Sequence, residues 1–147
     1  MSDKIILLVE DNTQDELLIL RSLRKAHVAN CIDVVRDGQQ ALDYLFNQGE
    51  FAQPEERCLP VVVLLDISLP RLSGLEVLRA VRAHARTALL PVVMLTSSDE
   101  ERDRLTSYAN GANSFVRKPL EFIAFAETVA SLGIYWVAIN EPPRERP

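Results

Sequence analysis

The chain has 147 residues, of which 25% are charged, and its mean hydropathy is close to zero, so one folded domain with a single core is expected. Sixteen basic against 21 acidic residues give a net charge of −5, and the only basic cluster is a short tail at Arg144 and Arg146, which disfavours nucleic-acid binding. Its first apolar run is too short for a membrane span or a signal peptide. Cys31 and Cys58 lack metal-binding spacing, which favours a cytoplasmic protein with free thiols.

The first half of the chain predicts alternating strands and helices. A short aliphatic run from Lys4 to Val9 reads as a strand, and it stops at Glu10 and Asp11. Either Asn12 or Thr13 can cap the helix that follows. The next predicted elements are a strand over 31–36, a helix over 39–47 and a surface loop over 50–60.

The run from Val61 to Leu65 predicts the central strand. Five consecutive aliphatic residues indicate burial on both faces, as in a parallel sheet that is covered by helices. The strand ends at Asp66. Ligands of open parallel sheets bind beyond the carboxyl ends of the strands, so Asp66 occupies a functional position, although capping the next turn would also explain it.

Two further strands in the second half also end in polar side chains. After a helix over 75–85, the apolar run 91–95 ends at Thr96, and the strand over 113–117 ends at Lys118. A helix over 99–111 separates these two strands. The last predicted elements are a helix over 120–132 and an apolar extension over 134–139.

Five strand-helix repeats predict an α/β fold with a doubly wound, five-stranded parallel sheet. With strand order 2-1-3-4-5, the strand-end side chains converge on one edge. These side chains are Glu10, Asp11, Asp66, Thr96 and Lys118.

This group of side chains suggests phosphoryl chemistry. Crowded carboxylates repel one another, and Mg²⁺, which prefers oxygen ligands, would neutralise them while keeping positions open for phosphate oxygens. A lysine and a hydroxyl would supply the remaining charge and hydrogen bonds. Asp66, at the end of the central strand, is the best placed nucleophile for forming an aspartyl phosphate.

At these positions residues 4–132 resemble the receiver domain of two-component response regulators, a family with the flavodoxin-like fold. The resemblance implies that Glu10, Asp11 and Asp66 bind Mg²⁺, with Mn²⁺ as a possible substitute. It also makes Asp66 the phosphoacceptor, and it assigns the backbone carbonyl of Ser68 to the metal.

The resemblance assigns three further roles. Thr96 would be the switch hydroxyl, Phe115 the switch aromatic residue, and Lys118 the residue that pairs with the phosphoryl group. The peptide bond between Lys118 and Pro119 would be cis. Ser97 departs from the small residue that is common at its position, which could alter access to the phosphoryl group.

Two other classes of function compete with a phosphorylation switch. A dehalogenase-type phosphatase would need a second aspartate two residues after the nucleophile, where this chain has Ser68. A degenerate receiver could instead act as a constitutive adaptor. The absence of GxGxxG and GxxxxGK[ST] motifs argues against nucleotide-binding folds, and His27 and His84 lie toward predicted helix ends, where surface histidines are common.

The long loop before the central strand and the extension that contains Trp136 resemble the single-domain regulators that partner cyanobacterial and bacterial phytochromes. This resemblance implies a sensor histidine kinase as phosphoryl donor, with a phytochrome as the narrower candidate, and an unknown downstream protein as target. A chemotaxis-type motor regulator is the alternative within the family. Neither a nucleic acid nor a membrane is an expected partner.

The division of the chain that we expect is a receiver domain over 1–132 and a C-terminal extension and tail over 133–147. The extension is more apolar than a lone domain needs, so it predicts either a lid on the same subunit or a homodimer. The predicted interface consists of Phe115, Ile123, Tyr135 and Trp136.

Overall fold

The computed structural model of the protein describes residues 4–27 and 31–143, so the basic tail at Arg144 and Arg146 lies outside the described residues. Strands and helices alternate as predicted, with ends that differ from the predicted ones by at most two residues. The strands are β1 Ile5–Val9, β2 Cys31–Val35, β3 Val62–Leu65, β4 Val92–Thr96 and β5 Ser114–Arg117. The helices are α1 Thr13–Lys25, α2 Gly38–Leu45, α3 Gly74–Ala83, α4 Glu101–Ala109 and α5 Phe122–Gly133.

The five strands form one parallel sheet in the order β2-β1-β3-β4-β5, which confirms the predicted topology. All four residues of β3 are buried, as expected for a central strand that has helices on both faces. The register pairs Val9 with Leu65, so β1 and β3 end side by side. Glu10 and Asp66, the next residues in each strand, therefore emerge at the same edge.

The sheet divides the core into two layers. On one face the side chains of Leu7, Val63, Leu65 and Met94 pack with α2 and α3. On the other face Ile6, Leu8, Leu64 and Val93 pack with α1 and α5. Burial on both faces explains why the sequences of β1, β3 and β4 are almost continuously apolar rather than alternating.

Side-chain caps fix where the helices begin next to the sheet edge. Asn12 Oδ1 accepts a hydrogen bond from the backbone N–H of Asp15 at 2.8 Å, so Asn12 rather than Thr13 caps α1. Ser73 forms a reciprocal capping box with Glu76 at the start of α3. These caps hold the first turns of α1 and α3 close to the carboxyl ends of β1 and β3.

The loop that joins α2 to β3 is anchored rather than free. It contains a short 3₁₀ turn over Gly49–Phe51, and the Arg57 guanidinium lies 4.5 Å from the centre of the Tyr44 ring. Arg86 donates hydrogen bonds to the carbonyls of Leu45 and Arg57, both at 2.8 Å. The predicted surface loop is therefore fixed by contacts to α2 and to the segment after α3.

A six-residue π-helix, Ile134–Ile139, continues directly from α5, and we call it the C-terminal π-helix. Val137 is buried in the core, and its carbonyl accepts a hydrogen bond from Lys4 Nζ at 2.8 Å. The extension that was expected to begin at residue 133 is thus the continuation of α5 and packs against the same domain.

Helix α5 and the C-terminal π-helix together have the length and composition of a membrane span. The segment Phe122–Ile139 has 18 residues and a mean hydropathy of 1.7. The core helix of a soluble domain has the same properties, and here Phe125, Val129 and Val137 pack in the core with the sheet.

Candidate functional site

Four polar side chains at the carboxyl edge of the sheet are almost completely buried. Glu10 follows β1, Asp66 follows β3, Thr96 ends β4, and Lys118 follows β5. Their exposed fractions are 1%, 6%, 1% and 6%, respectively. Because burying an unpaired charge costs a large free energy, these groups must satisfy one another.

Lys118 is the hub of this cluster. Its Nζ donates to Glu10 Oε1 at 2.7 Å, to Asp66 Oδ2 at 2.9 Å and to Asp15 Oδ2 at 2.9 Å. An ammonium group has three donors, so all of them are used. The predicted cluster of Glu10, Asp66 and Lys118 therefore forms, and the structure adds Asp15, which the sequence analysis did not select.

The pKa values of Glu10 and Lys118 are both raised, but for different reasons. Burial raises the pKa of Glu10 to about 7, even though Lys118 acts to lower it. Burial alone would lower the pKa of Lys118, but its hydrogen bonds to Glu10, Asp66 and Asp15 outweigh that effect and raise its pKa. Lys118 is therefore a permanent cation at neutral pH.

Three carboxylates at this edge can share a cation. One ligand oxygen from each of Glu10, Asp11 and Asp66 lies within 4.8 Å of the others. Asp11 is exposed whereas the other two are buried, so the group opens to solvent on one side. This all-oxygen donor set fits Mg²⁺ or Mn²⁺ and leaves room for ligands that the protein does not supply.

Backbone groups orient the two buried carboxylates. The N–H of Ser68 donates to Asp66 Oδ1 at 3.1 Å, and the N–H of Asn12 donates to Glu10 Oε2 at 3.1 Å. Each carboxylate thus has one oxygen fixed by the backbone and one fixed by Lys118. The role of the Ser68 carbonyl as a metal ligand stays a prediction.

Close backbone packing holds the turn after Asp66 in place. The N–H of Gly74 donates to the carbonyl of Ile67 at 2.8 Å. A Cβ atom on Gly74 would lie 2.0 Å from the carbonyl oxygen of Asp66, which no side chain can tolerate. Gly74 is therefore required for its size.

The two predicted switch residues lie on neighbouring strands. Thr96 Oγ1 accepts a hydrogen bond from the N–H of Ser98 at 3.3 Å, and the carbonyl of Thr96 accepts one from the N–H of Lys118 at 2.7 Å. Phe115 lies opposite Met94 and is half-buried against the core layer that contains α2 and α3. Their switching roles stay predictions.

The peptide bond between Lys118 and Pro119 was expected to be cis, but the structure shows otherwise. The described part of the chain contains no cis peptide bond. Bonds that precede proline favour the trans form by about 0.5–1 kcal/mol unless the surroundings impose cis. With the trans bond, Lys118 contacts Thr96 through its backbone and three carboxylates through its side chain.

The predicted interface residues differ in exposure. Ile123 is 60% exposed and Tyr135 is 45% exposed, whereas Phe115 and Trp136 are half-buried. We use the name α5 surface for the exposed apolar side chains of Phe122, Ile123, Ile134, Tyr135 and Ile139. A cleft of about 650 Å³ lies beside it, between β5, α5 and Trp136. Phe122 is the first residue of α5, one turn before the first buried side chain of that helix.

Comparison with known proteins gives the chain a family. Residues 6–130 match the family model described as the response regulator receiver domain. The chain is 40% identical over 139 residues to the probable methanogenesis regulatory protein FilR2 of Methanothrix harundinacea, covering 95% of this chain and 87% of that protein. It is 32% identical over 134 residues to the response regulator Rcp1 of Synechocystis, covering 91% of this chain and 89% of Rcp1.

Solved structures agree with the sequence relatives. The phosphorylated cyanobacterial phytochrome response regulator RcpA has a TM-score of 0.89 and 32% identity, covering 97% of this chain and all of RcpA. The Mn²⁺-bound form of Rcp1 has a TM-score of 0.88 and 30% identity, with 96% and 99% covered. The bacteriophytochrome response regulator RtBRR is 51% identical with a TM-score of 0.75, covering 95% of this chain and 84% of RtBRR.

Proposed function

Because the chain belongs to the response regulator receiver domain family, we propose that it is a single-domain response regulator of a two-component system. Asp66 accepts a phosphoryl group from a sensor histidine kinase, and the phosphorylated form presents a changed surface to another protein. The observation that carries this proposal is the hub in which Lys118 holds Asp66 and Glu10 beside the exposed carboxylate of Asp11. Members of this family are in general phosphoacceptors rather than enzymes.

The proposed reaction is a transfer between two side chains. One carboxylate oxygen of Asp66 forms a bond to phosphorus while the bond from phosphorus to the imidazole nitrogen of the donor histidine breaks. The electron pair of that bond stays on the imidazole. Lys118 then pairs with a phosphoryl oxygen in place of Asp66 Oδ2.

A divalent cation held by Glu10, Asp11 and Asp66 would neutralise negative charge on the transferring group. Mg²⁺ is the proposed ion and Mn²⁺ the substitute, and the backbone carbonyl of Ser68 is the proposed fourth protein ligand. The donor set and the Mn²⁺-bound form of the relative Rcp1 support this assignment.

Thr96 and Phe115 form the proposed readout. The Thr96 hydroxyl already accepts a hydrogen bond from Ser98, so its hydrogen is available to a phosphoryl oxygen. Movement of Thr96 toward the phosphoryl group would vacate space for the ring of Phe115, and a local charge would thereby change a protein surface.

The proposed donor is a phytochrome-type histidine kinase in the cytoplasm. RcpA and RtBRR are both phytochrome response regulators by description, and the resemblance covers almost the whole chain. FilR2 carries a different description, so a kinase of another input class is the alternative. Phosphotransfer from each histidine kinase of the source organism, measured at short times, tests this. Fastest transfer from a kinase that is not a phytochrome would contradict the proposed partner.

Labelling with acetyl phosphate tests the phosphoacceptor. The wild type should become phosphorylated only when Mg²⁺ is present, and Asp66→Asn should lose the label. Asp11→Asn should lose it at ordinary Mg²⁺ concentrations and regain part of it at high concentrations, because two carboxylate ligands remain. Glu50→Gln removes an exposed charge far from the site and serves as the control. Undiminished labelling of Asp66→Asn would contradict the proposal.

A homodimer is the proposed assembly, formed through α4, β5, α5 and the C-terminal π-helix. The α5 surface supports it, because several large exposed apolar side chains on one helical segment often mark an interface. The alternative is a lid on the same subunit. Val137, which is buried in the core, and Trp136, which is partly buried against it, fit that alternative. We therefore keep the proposed division into a domain over 1–132 and an extension over 133–147. In it, the extension packs against the domain and also contributes to the interface.

Point variants test the dimer more sharply than truncation after Leu132, because truncation also removes Val137 from the core. Ile123→Glu combined with Ile139→Glu should give a monomer by light scattering, since both side chains are at least 60% exposed. Dilution of the wild type should shift the emission of Trp136. The control is Leu89→Glu, another exposed apolar side chain, in the loop before β4. A wild type that is monomeric at every concentration would contradict the proposed dimer.

A further inference from the structure

The carboxylate of Asp15 is the third partner of Lys118, and it differs from the other two. Glu10 and Asp66 follow strands, whereas Asp15 lies in the first turn of α1. The side chain of Asp15 is 29% exposed, compared with 2% for Glu10 and 8% for Asp66. Asp15 thus reaches the buried ammonium from the solvent side of the cluster.

Contacts on both sides of Asp15 fix its position. Its backbone N–H is held by the Asn12 side chain at 2.8 Å. The next residue, Glu16, accepts two hydrogen bonds from the Arg36 guanidinium, at 3.0 and 2.8 Å, which sets the rotation of α1 against the end of β2. The contact between Asp15 and Lys118 therefore follows from how α1 is anchored rather than from a freely rotating surface side chain.

Asp15 accepts a hydrogen bond from an N–H group of Lys118 that a phosphoryl group could otherwise accept. Glu10, Asp15 and Asp66 occupy all three N–H groups of Lys118. After phosphorylation of Asp66, Lys118 can exchange only its bond to Asp66 for one to the phosphoryl oxygens while Asp15 keeps its own. Without Asp15, two donors would be available to the phosphoryl group.

The charge of Asp15 acts in opposite directions on a cation and on an anion. Asp15 does not belong to the group of Glu10, Asp11 and Asp66 that can share a metal ion, so its charge is felt without ligation. A negative charge close to that group attracts a divalent cation. The same charge repels an incoming phosphoryl group.

From these contacts we infer that Asp15 is a positioning residue that acts through Lys118. It strengthens binding of the divalent cation and weakens binding of the phosphoryl group, and so limits how long or how fully Asp66 stays phosphorylated. The inference rests on the proposed function, since it concerns the same cation and the same phosphoryl group.

Two affinities measured on the full chain test the inference. Mn²⁺ affinity is read from the electron paramagnetic resonance signal of the free ion, without any phosphoryl mimic. Beryllofluoride affinity is then read by fluorine NMR at saturating Mg²⁺. Asp15→Asn should weaken Mn²⁺ binding and tighten beryllofluoride binding, each by roughly threefold to tenfold, as expected for loss of one nearby charge. Glu50→Gln, an equal charge change at the amino edge of the sheet, should change neither affinity.

The opposite signs distinguish this role from a structural one, because a distorted site would bind both ligands more weakly. Asp15→Ser removes the same charge with another side chain and should show the same pair of shifts if Asp15→Asn misfolds. If the variants bound both ligands as tightly as the wild type, or bound both more weakly, the inference about Asp15 would be overturned and the proposed function would stand. A wild type that binds neither Mn²⁺ nor beryllofluoride would instead overturn the proposed function.

Discussion

The carboxyl edge of the sheet and the α5 surface place side chains in opposite environments. At the edge, Glu10, Asp66 and Lys118 are charged and buried, and each is paired within the chain. At the α5 surface, Phe122, Ile123 and Ile139 are apolar and at least 60% exposed. Within residues 4–27 and 31–143, every buried side-chain nitrogen or oxygen has a hydrogen-bond partner.

The difference follows from the cost of each arrangement. An unpaired buried charge costs several kcal/mol or more, so the chain must satisfy the edge by itself before any ligand arrives. An exposed apolar side chain costs much less and can remain until another surface covers it. The edge is therefore internally paired, whereas the side chains of the α5 surface have no such pairing within the described part of the domain and would be covered in the proposed dimer.

Removal of the hub cation should give the largest effect on stability. At pH 8 we expect Lys118→Met to lower the free energy of unfolding by about 3 kcal/mol, because the buried carboxylates lose their counter-charge. Mg²⁺ should restore much of this loss, since it supplies positive charge to Glu10, Asp11 and Asp66. Urea denaturation with and without Mg²⁺ measures both effects.

Arg102→Met is the control for that experiment, because Arg102 is 85% exposed and pairs with the exposed side chain of Glu100 at 3.4 Å. Its free energy of unfolding should stay within about 0.5 kcal/mol of the wild type. If Lys118→Met were as stable as Arg102→Met without Mg²⁺, the edge would not be the internally paired cluster described above.

The C-terminal π-helix should show both environments within three residues. Val137 is 4% exposed, so Val137→Ala should lower the free energy of unfolding by about 2 kcal/mol through lost apolar burial and a cavity. Ile139 is 62% exposed, so Ile139→Ala should change that free energy by less than about 0.5 kcal/mol in the monomer. Thermal or urea unfolding at low protein concentration gives both values, and equal losses would contradict the packing of this segment.

The sequence predicted the edge well because its residues obey a simple rule. Strands that are buried on both faces read as continuous apolar runs, and the polar residue that ends each run must lie at the edge. Glu10, Asp66 and Thr96 were found in this way, and Lys118 was found at the end of β5, which is less buried. The strand order followed from the connection rules for repeated strand-helix units.

Asp15 could not be found by the same rule. An acid in the first turn of a helix is already explained by the helix dipole, and nothing in the local sequence points to a partner 103 residues away. Its contact depends on the rotation of α1, which the pair between Glu16 and Arg36 sets. The cis bond before Pro119 was expected from the resemblance alone, whereas the local preference favours the trans form that the structure has.

The smallest expected effect concerns communication between the two regions. Thr96→Ala removes a hydroxyl that is 1% exposed and that accepts from Ser98, but it leaves Lys118 and the metal-binding carboxylates in place. Beryllofluoride with Mg²⁺ should therefore bind this variant within about threefold of the wild type, the effect of one modest hydrogen bond. The Phe115 ring should respond much less than in the wild type, because no hydroxyl moves to vacate space for it. NMR of the Phe115 ring, recorded with and without the mimic, measures that response.

Thr106→Ala makes the same chemical change on α4 and should leave the response intact. Equal movement of Phe115 in Thr96→Ala and the wild type would show that any coupling from the edge to the rest of the protein does not pass through Thr96.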